Sequence, residues 1–313
     1  MGYMKSNIAL SIIIPVYQVE EYIESTISSL ICAIGKRTNV EVIFINDGTL
    51  DLSFEIVKSH LKSFTHAVLL EQKNVGLSGT RNRGFSASSG EYLWFVDSDD
   101  MINEDAISNF LSYQAQFNAD VFSVGHQVLG GDGFNLSLDM PSFSSISGVE
   151  VLNNYVYLSP VMFYIYRRDF LVENDLSFEA NIYHEDALFT IEVMLSAKTV
   201  VRITAPFYIY RIRPSSIMTG GNDRLHVSGM LTVVERIFFL LERCPYGNST
   251  RSGLSKAFCK EVGGLCFYLR RISRKERTEV LGNLDLKGWL KSCSFNMDFV
   301  RALVVVLITY LKW

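Results

Sequence analysis

Gly90-Glu91-Tyr92-Leu93-Trp94-Phe95-Val96-Asp97-Ser98-Asp99-Asp100 is the stretch on which the reading of this chain turns. Its first half, Tyr92 to Val96, is a short run of Tyr, Leu, Trp, Phe and Val, which predicts a strand buried on both faces. Its second half carries three carboxylates. In open α/β sheets, ligands bind beyond the C-terminal ends of the strands. Residues i and i+2 of an extended chain point the same way, so Asp97 and Asp99 are expected to converge. Two such carboxylates repel unless a cation lies between them. A hard cation, Mg²⁺ or Mn²⁺, takes oxygen ligands and also binds substrate phosphates. The same residues equally suit a turn followed by a helix cap, a reading that fits Asp100 in particular.

Outward from this stretch, strand and helix signals alternate. Apolar strands are expected at residues 10–16, 40–45 and 67–70, and helices at 20–33, 52–61 and 78–88. Apolar strands separated by helices imply an α/β fold with a mostly parallel sheet covered on both faces. Downstream, a helix is expected at 103–117 and a strand at 120–128, with an extended segment at 160–170. An amphipathic helix at 185–197 and a strand at 207–213 follow, and mainly helix from Arg224 onward.

Four further constellations lie at the ends of these elements. Asp47 follows the second strand and precedes Gly48; it reads as a turn residue or as a carboxylate that accepts hydrogen bonds from a base or ribose. Tyr17, just past the first strand, offers a ring to stack on that base, or is an ordinary half-buried aromatic. Asn74 to Gly84 (NVGLSGTRNRG) enters a helix whose N-terminus favours anions, and Arg81 there suits a phosphate or simply the surface. The phosphate-loop pattern GxxxxGK[ST] is absent. His184-Glu185-Asp186 opens a helix, where acidic residues are stabilised by the macrodipole or serve as a general base. Arg211 and Arg213, at i and i+2, share one side of an extended strand and suit a diphosphate, or lie exposed at an edge.

The chain has 313 residues, of which 48% are hydrophobic and 20% charged, which excludes a disordered polymer. Residues 1–240 carry 16 Lys/Arg and 27 Asp/Glu, a net of −11, whereas 241–313 carry 13 and 6, a net of +7. The basic end suits an anionic membrane surface, nucleic acid or a solvated helical face. Five cysteines without a CxxC pair argue for reduced thiols and against a disulfide framework or zinc site. The apolar run at 8–14 stops at Pro15 with no cleavage signal after it, so no leader is expected. The run at 302–311 is shorter than the ~20 residues of a spanning helix. With Arg301, Lys312 and Trp313 beside it, it suits a membrane interface, a core helix or an oligomer contact.

In order and spacing these segments resemble the family 2 glycosyltransferases with the GT-A fold. The matching stretches are Ser11 to Tyr17 (SIIIPVY), Phe44 to Asp51 (FINDGTLD), Asn74 to Gly84 and Gly90 to Asp100. Later matches are Tyr166 to Leu171 (YRRDFL), His184 to Phe189 (HEDALF) and Tyr210 to Met218 (YRIRPSSIM). The resemblance covers about residues 8–220. It implies a GT-A catalytic domain over 1–220, with a nucleotide-binding half at about 1–100 and an acceptor half at about 101–220. A basic helical region at 221–313 would follow.

The resemblance implies an inverting, metal-dependent transfer of a sugar from a nucleotide-diphosphate donor, expected to be a UDP-sugar. Asp47 would bind the base, with Pro15 and Tyr17 lining its site, and Arg81 would face the nucleotide. Asp97 would lie near the ribose and Asp99 on Mn²⁺ or Mg²⁺. Asp186, or else Glu185, would act as the base, and Arg211 and Arg213 would close over the diphosphate. The implied acceptor is a hydroxyl of a glycan or of a lipid-diphosphate-linked saccharide in surface-polysaccharide assembly, with no nucleic-acid partner. The implied place is the cytoplasm or the inner face of the cytoplasmic membrane.

The sequence departs from the family at Asn46, where an Asp is usual, at Leu50, and at Met162-Phe163-Tyr164-Ile165. The alternatives are a sugar nucleotidyltransferase, whose glycine-rich basic N-terminal loop is missing here, and a non-catalytic nucleotide-sugar binding module.

Overall fold

The computed structural model describes residues 8–130, 141–155, 157–213, 222–243 and 247–282. The expectations for 302–311 and for Pro214 to Ser216 lie outside these residues. β1 (Leu10–Val16), α1 (Ile23–Ile34), β2 (Val40–Asn46), α2 (Ser53–His60), β3 (Ala67–Glu71), α3 (Gly76–Ala87) and β4 (Tyr92–Phe95) follow in strict alternation. β5 (Met101–Ile102), α4 (Ala106–Gln116), β6 (Val121–Leu129), β7 (Phe143–Ile146) and α5 (Gly148–Asn154) come next. Then follow β8 (Tyr164–Arg167), α6 (Arg168–Glu173), α7 (Glu185–Ser196) and β9 (Val200–Arg211). α8 (Asp223–Arg243), α9 (Asn248–Leu269) and α10 (Arg274–Gly282) complete the described chain.

One sheet has the order β3-β2-β1-β4-β8-β6-β9-β5, with β7 also on β9. The first four strands are mutually parallel, as their apolar runs predict. β8 enters antiparallel between β4 and β6 and joins the two halves. β1 and β4 are buried along their whole length. Glu41 of β2, buried in this sheet, accepts from Ser11 Oγ at 2.5 Å and Ser89 N at 2.7 Å, which replaces the water it lost. Trp94 Nε1 donates to the Met162 carbonyl at 2.8 Å and so fastens the two halves.

A crevice forms where β4 ends early. Its last ladder partner is Ile13, whose carbonyl accepts from Val96 N at 3.0 Å, whereas β1 continues to Val16 beside β2. Pro15 sits two residues on, on the same edge, where no strand needs its missing N–H. α3 lies close on this floor, because a Cβ on Gly84 would stand 2.3 Å from Ile13 Cγ2.

Two elements differ from expectation. Only Tyr164–Arg167 of the 160–170 segment is strand, preceded by a 3-10 turn at Val161–Phe163 and followed by α6. β9 begins at Val200, before the expected 207, because Thr204-Ala205-Pro206 passes through as an irregularity opposite Gly125. A Cβ on Gly125 would lie 2.4 Å from the Thr204 carbonyl oxygen.

α8 and α9 pack on each other and on α5 and α7. The fit is close: a Cβ on Gly229 would stand 2.2 Å from the Tyr183 carbonyl oxygen, one residue before His184. Gly229→Ala is therefore expected to lift α8 from this segment and destabilise the chain by about 1–3 kcal/mol. Urea unfolding measures this, and an unchanged midpoint would mean the contact is looser. Among the described residues no helix is long and apolar enough to cross a membrane.

Candidate active site

Past Phe95 the chain leaves the sheet and turns, with Asp100 N donating to the Asp97 carbonyl at 3.2 Å. Asp97 and Asp99 are therefore not two residues of one extended strand, and the alternation expected to aim them together does not apply. They point to different arginines. Asp97 Oδ1 accepts from Arg81 at 2.9 Å, and Asp99 Oδ2 pairs with Arg213. Asp100 caps no helix, contrary to expectation. It is 1% exposed and accepts from Tyr208 Oη at 2.6 Å and Arg211 N at 2.7 Å, so it ties the turn to β9. Burial, with Asp99 and Asp97 nearby, raises its carboxyl to about 8. Tyr208 Oη also accepts from Asp97 N at 3.2 Å.

Arg81 is the centre of the arrangement. It is 1% exposed, and its guanidinium meets Asp97, Glu185 at 2.8 Å and Asp186 at 2.6 Å. A surface position is thereby excluded, and its terminal nitrogens face carboxylates. Burial opposes its charge, but Asp186, Asp97 and Glu185 outweigh burial and hold it protonated. Burial, helped by Asp99 and Asp186 and opposed by Arg81, raises the carboxyl of Asp97. Glu185, 8% exposed, is raised by burial and then by Asp186. Asp186 has the more open side chain of the pair, 21% against 10%, and its Oδ2 also accepts from Val161 N at 3.4 Å.

At the other end of the crevice, Asp47 is 3% exposed. Its Oδ1 accepts from Gln72 Nε2 at 2.8 Å and Val75 N at 2.9 Å, and its Oδ2 from Gly76 N at 3.0 Å. Asp47 thus binds the entry of α3, and only Oδ2 keeps a lone pair for a ligand. Asn46 Oδ1 holds the turn that follows β2, accepting from Thr49 N at 2.9 Å. Tyr17 stands 43% exposed at the rim, beyond buried Pro15.

Arg211 and Arg213 share one neighbourhood, as their spacing predicts. Both lie over the Tyr22 ring, at 5.4 and 5.3 Å, and Arg211 also donates to Ser25 Oγ at 2.8 Å and the Asp99 carbonyl at 3.0 Å. Two adjacent guanidiniums beside Asp99 are the kind of donor set that suits an anion. For a metal, Asp97 and Asp99 supply only carboxylate oxygens, the donor type of a hard cation. No group of three or more His, Cys, Asp or Glu suited to a metal occurs among the described residues. That set fits an ion held by one or two carboxylates and completed by substrate phosphate and water, not a closed cage.

Sequence reasoning missed Tyr22, Ser25 and Tyr208, which carry no motif. It also missed what sits behind His184. That residue is at φ 66°, and its Nε2 lies 3.1 Å from His226 Nδ1 on α8, whose ring stacks on Tyr268 of α9 at 4.4 Å. Burial and then His226 lower the His184 pKa to about 4.

Comparison with known proteins fits this geometry. Residues 11–184 match the model of the family described as Glycosyl transferase family 2. The chain is 29% identical over 252 residues to the uncharacterized glycosyltransferase YibD of Escherichia coli (strain K12), covering 77% of this chain and 73% of that protein. It is 30% identical over 218 residues to the uncharacterized glycosyltransferase EpsJ of Bacillus subtilis (strain 168), covering 66% and 62%. It is 28% identical over 204 residues to the poly(ribitol-phosphate) beta-N-acetylglucosaminyltransferase TarS of Staphylococcus aureus (strain MW2), covering 64% of this chain and 35% of that one. Among solved structures, S. aureus TarS 1–349 with UDP-GlcNAc superposes with a TM-score of 0.71 at 18% identity, over 97% of this chain and 89% of that one. The mannosyltransferase PcManGT of Pyrobaculum calidifontis, with GDP-Man and Mn²⁺, gives 0.56 at 13%, over 96% and 86%.

Proposed function

The chain belongs to glycosyl transferase family 2, and from that membership we propose an inverting transfer of a sugar from a UDP-sugar to a hydroxyl of a surface saccharide. Membership sets aside the nucleotidyltransferase and the non-catalytic module. The observation that carries the reading is the single guanidinium of Arg81, which holds Asp97 of the donor side and Asp186 of the acceptor side together. A sugar carbon between them would have a base on one side and a diphosphate wall on the other.

In this reading Asp186 takes the proton of the acceptor hydroxyl as its oxygen attacks the anomeric carbon. The carbon–oxygen bond to the diphosphate breaks on the opposite face. Arg211 and Arg213 receive the charge that develops there. Arg213 exchanges Asp99 for phosphate oxygens as the donor enters, which frees Asp99 for a cation. Asp99, with Asp97 beside it, would hold Mn²⁺ or Mg²⁺, which would supply further neutralisation of the diphosphate. Tyr17 stacks on the base above Pro15, and Asp47 Oδ2 meets its edge.

Support for a UDP-sugar comes from TarS, which binds UDP-GlcNAc and is named for transfer to poly(ribitol-phosphate). Support for the metal comes from PcManGT with Mn²⁺ and from the carboxylate donor set. The acceptor we favour is lipid-diphosphate-linked, met at the inner face of the membrane by a chain organised as a catalytic domain to about 220 and a helical region beyond. A panel of nucleotide sugars, assayed for nucleoside diphosphate release, tests the whole reading. Chelation should abolish release and added Mn²⁺ restore it; Asp99→Asn should lower activity and raise the metal concentration needed. Full activity in chelator would remove the metal from the mechanism.

A further inference from the structure

α9 buries one side, including Leu254, Ala257, Phe258 and Leu265, against the rest of the chain. Its opposite side is a continuous exposed stripe: Ser252, Lys256, Lys260, Gly263, Phe267 and Arg270, recurring every third or fourth residue. The helix has 22 residues and is about 33 Å long. No acidic residue is exposed on it. Its one acid, Glu261, is 5% exposed and accepts from Tyr157 Oη at 2.6 Å and Lys260 Nζ at 2.8 Å. Arg271, Arg274 and Lys275 extend the exposed positive surface past the helix end. Among the described residues, only Arg271 of these has an acidic partner close by, Asp223 at 2.7 Å. Amid the cations Phe267 is 56% exposed, with Arg271 over its ring at 5.5 Å.

We propose that this face of α9 rests on an anionic phospholipid surface. Lys256, Arg270, Arg274 and Lys275 meet the headgroup phosphates, and Phe267 enters the headgroup boundary. The ring favours a bilayer over a dissolved polyanion, since phosphate alone gives an exposed phenyl nothing to bury against. The orientation has a consequence for the site. Tyr268, next to Phe267, stacks on His226, which reaches His184 beside Glu185 and Asp186. A bilayer under α9 therefore lies on the acceptor flank. That consequence rests on the lipid-linked acceptor named above, whereas the contact itself needs no turnover.

The full chain should co-float with phosphatidylcholine vesicles containing phosphatidylglycerol and not with phosphatidylcholine alone, and salt should release it. Each cation at such a surface multiplies the partition coefficient by roughly five. The triple variant Lys256→Glu, Phe267→Ala, Arg270→Glu should then bind on the order of a hundredfold more weakly. Its release of nucleoside diphosphate from a soluble donor should be unchanged. A variant that floats like the parent would put the contact elsewhere and overturn the proposal. So would a parent that binds soluble polyphosphate but no vesicles, or a variant whose only change is a smaller mass by light scattering, which would make the face a subunit interface. Flotation as expected with no turnover of any nucleotide sugar would leave this proposal standing and remove the transferase reading.

Discussion

Arg81→Leu is expected to cost about 3–5 kcal/mol of stability, the scale of breaking a buried ion pair by removing one partner. The replacement leaves Asp97, Glu185 and Asp186 facing one another with no cation among them. Their side chains are only 22%, 10% and 21% exposed, so water replaces little of what the guanidinium supplied. The sign of the pH dependence follows. Burial already raises Asp97 and Glu185 against the pull of Arg81, so without it these two are pushed further above their unfolded values of about 4. Groups shifted that way destabilise the fold once pH exceeds the unfolded value, and the penalty vanishes below it. The deficit should be largest near neutrality and shrink as pH falls through the carboxylate range. Urea unfolding of parent and variant across that range measures it. A deficit independent of pH would mean that Arg81 acts by packing, including its contact with the Phe178 ring at 5.4 Å. Arg81→Lys should fall between the two, because one ammonium cannot present the fork that three carboxylates share.

Asp186→Asn should lower sugar transfer by about 10²–10⁴, the usual contribution of a general base. Binding of nucleoside diphosphate should remain, since Asp47, Tyr17 and the two arginines are untouched. Glu185→Gln should cost less than about tenfold, because burial and the neighbouring Asp186 already favour the neutral form of Glu185. Comparing turnover and nucleotide affinity in the two variants decides between the carboxyls. If Glu185→Gln falls as far as Asp186→Asn, the base is Glu185. If Asp186→Asn transfers normally, Asp186 leaves the mechanism.

Both predictions rest on groups the sequence had marked but connected differently. Arg81 was legible as a cation beside a helix start, and the phosphate role assigned to it followed from that place. In the folded chain it meets residues 104 and 105 positions away. Asp97 and Asp99 were legible as a carboxylate pair, yet the assumption of an extended backbone failed, because the chain turns as soon as β4 ends. Asp100 read as a cap, and Tyr208 carried no signal at all. Their mutual bond depends on β9 lying beside the turn, which no local pattern encodes.

What the sequence determined by itself is the alternation of strands and helices up to β4 and the place of the acidic turn at a strand's end. Backbone periodicity and apolar runs are local properties, so they survive in one dimension. The order of the matching segments likewise identified the family without coordinates. Only the tertiary structure decided which charge answers which. Arg81 lies 1% exposed between the turn after β4 and the start of α7, and once water is gone an ion must find its partner within a few ångströms. That partner is selected by packing across distant elements. The same holds for α9: its stripe of cations can be written from the sequence, but its exposure depends on which side the core claimed.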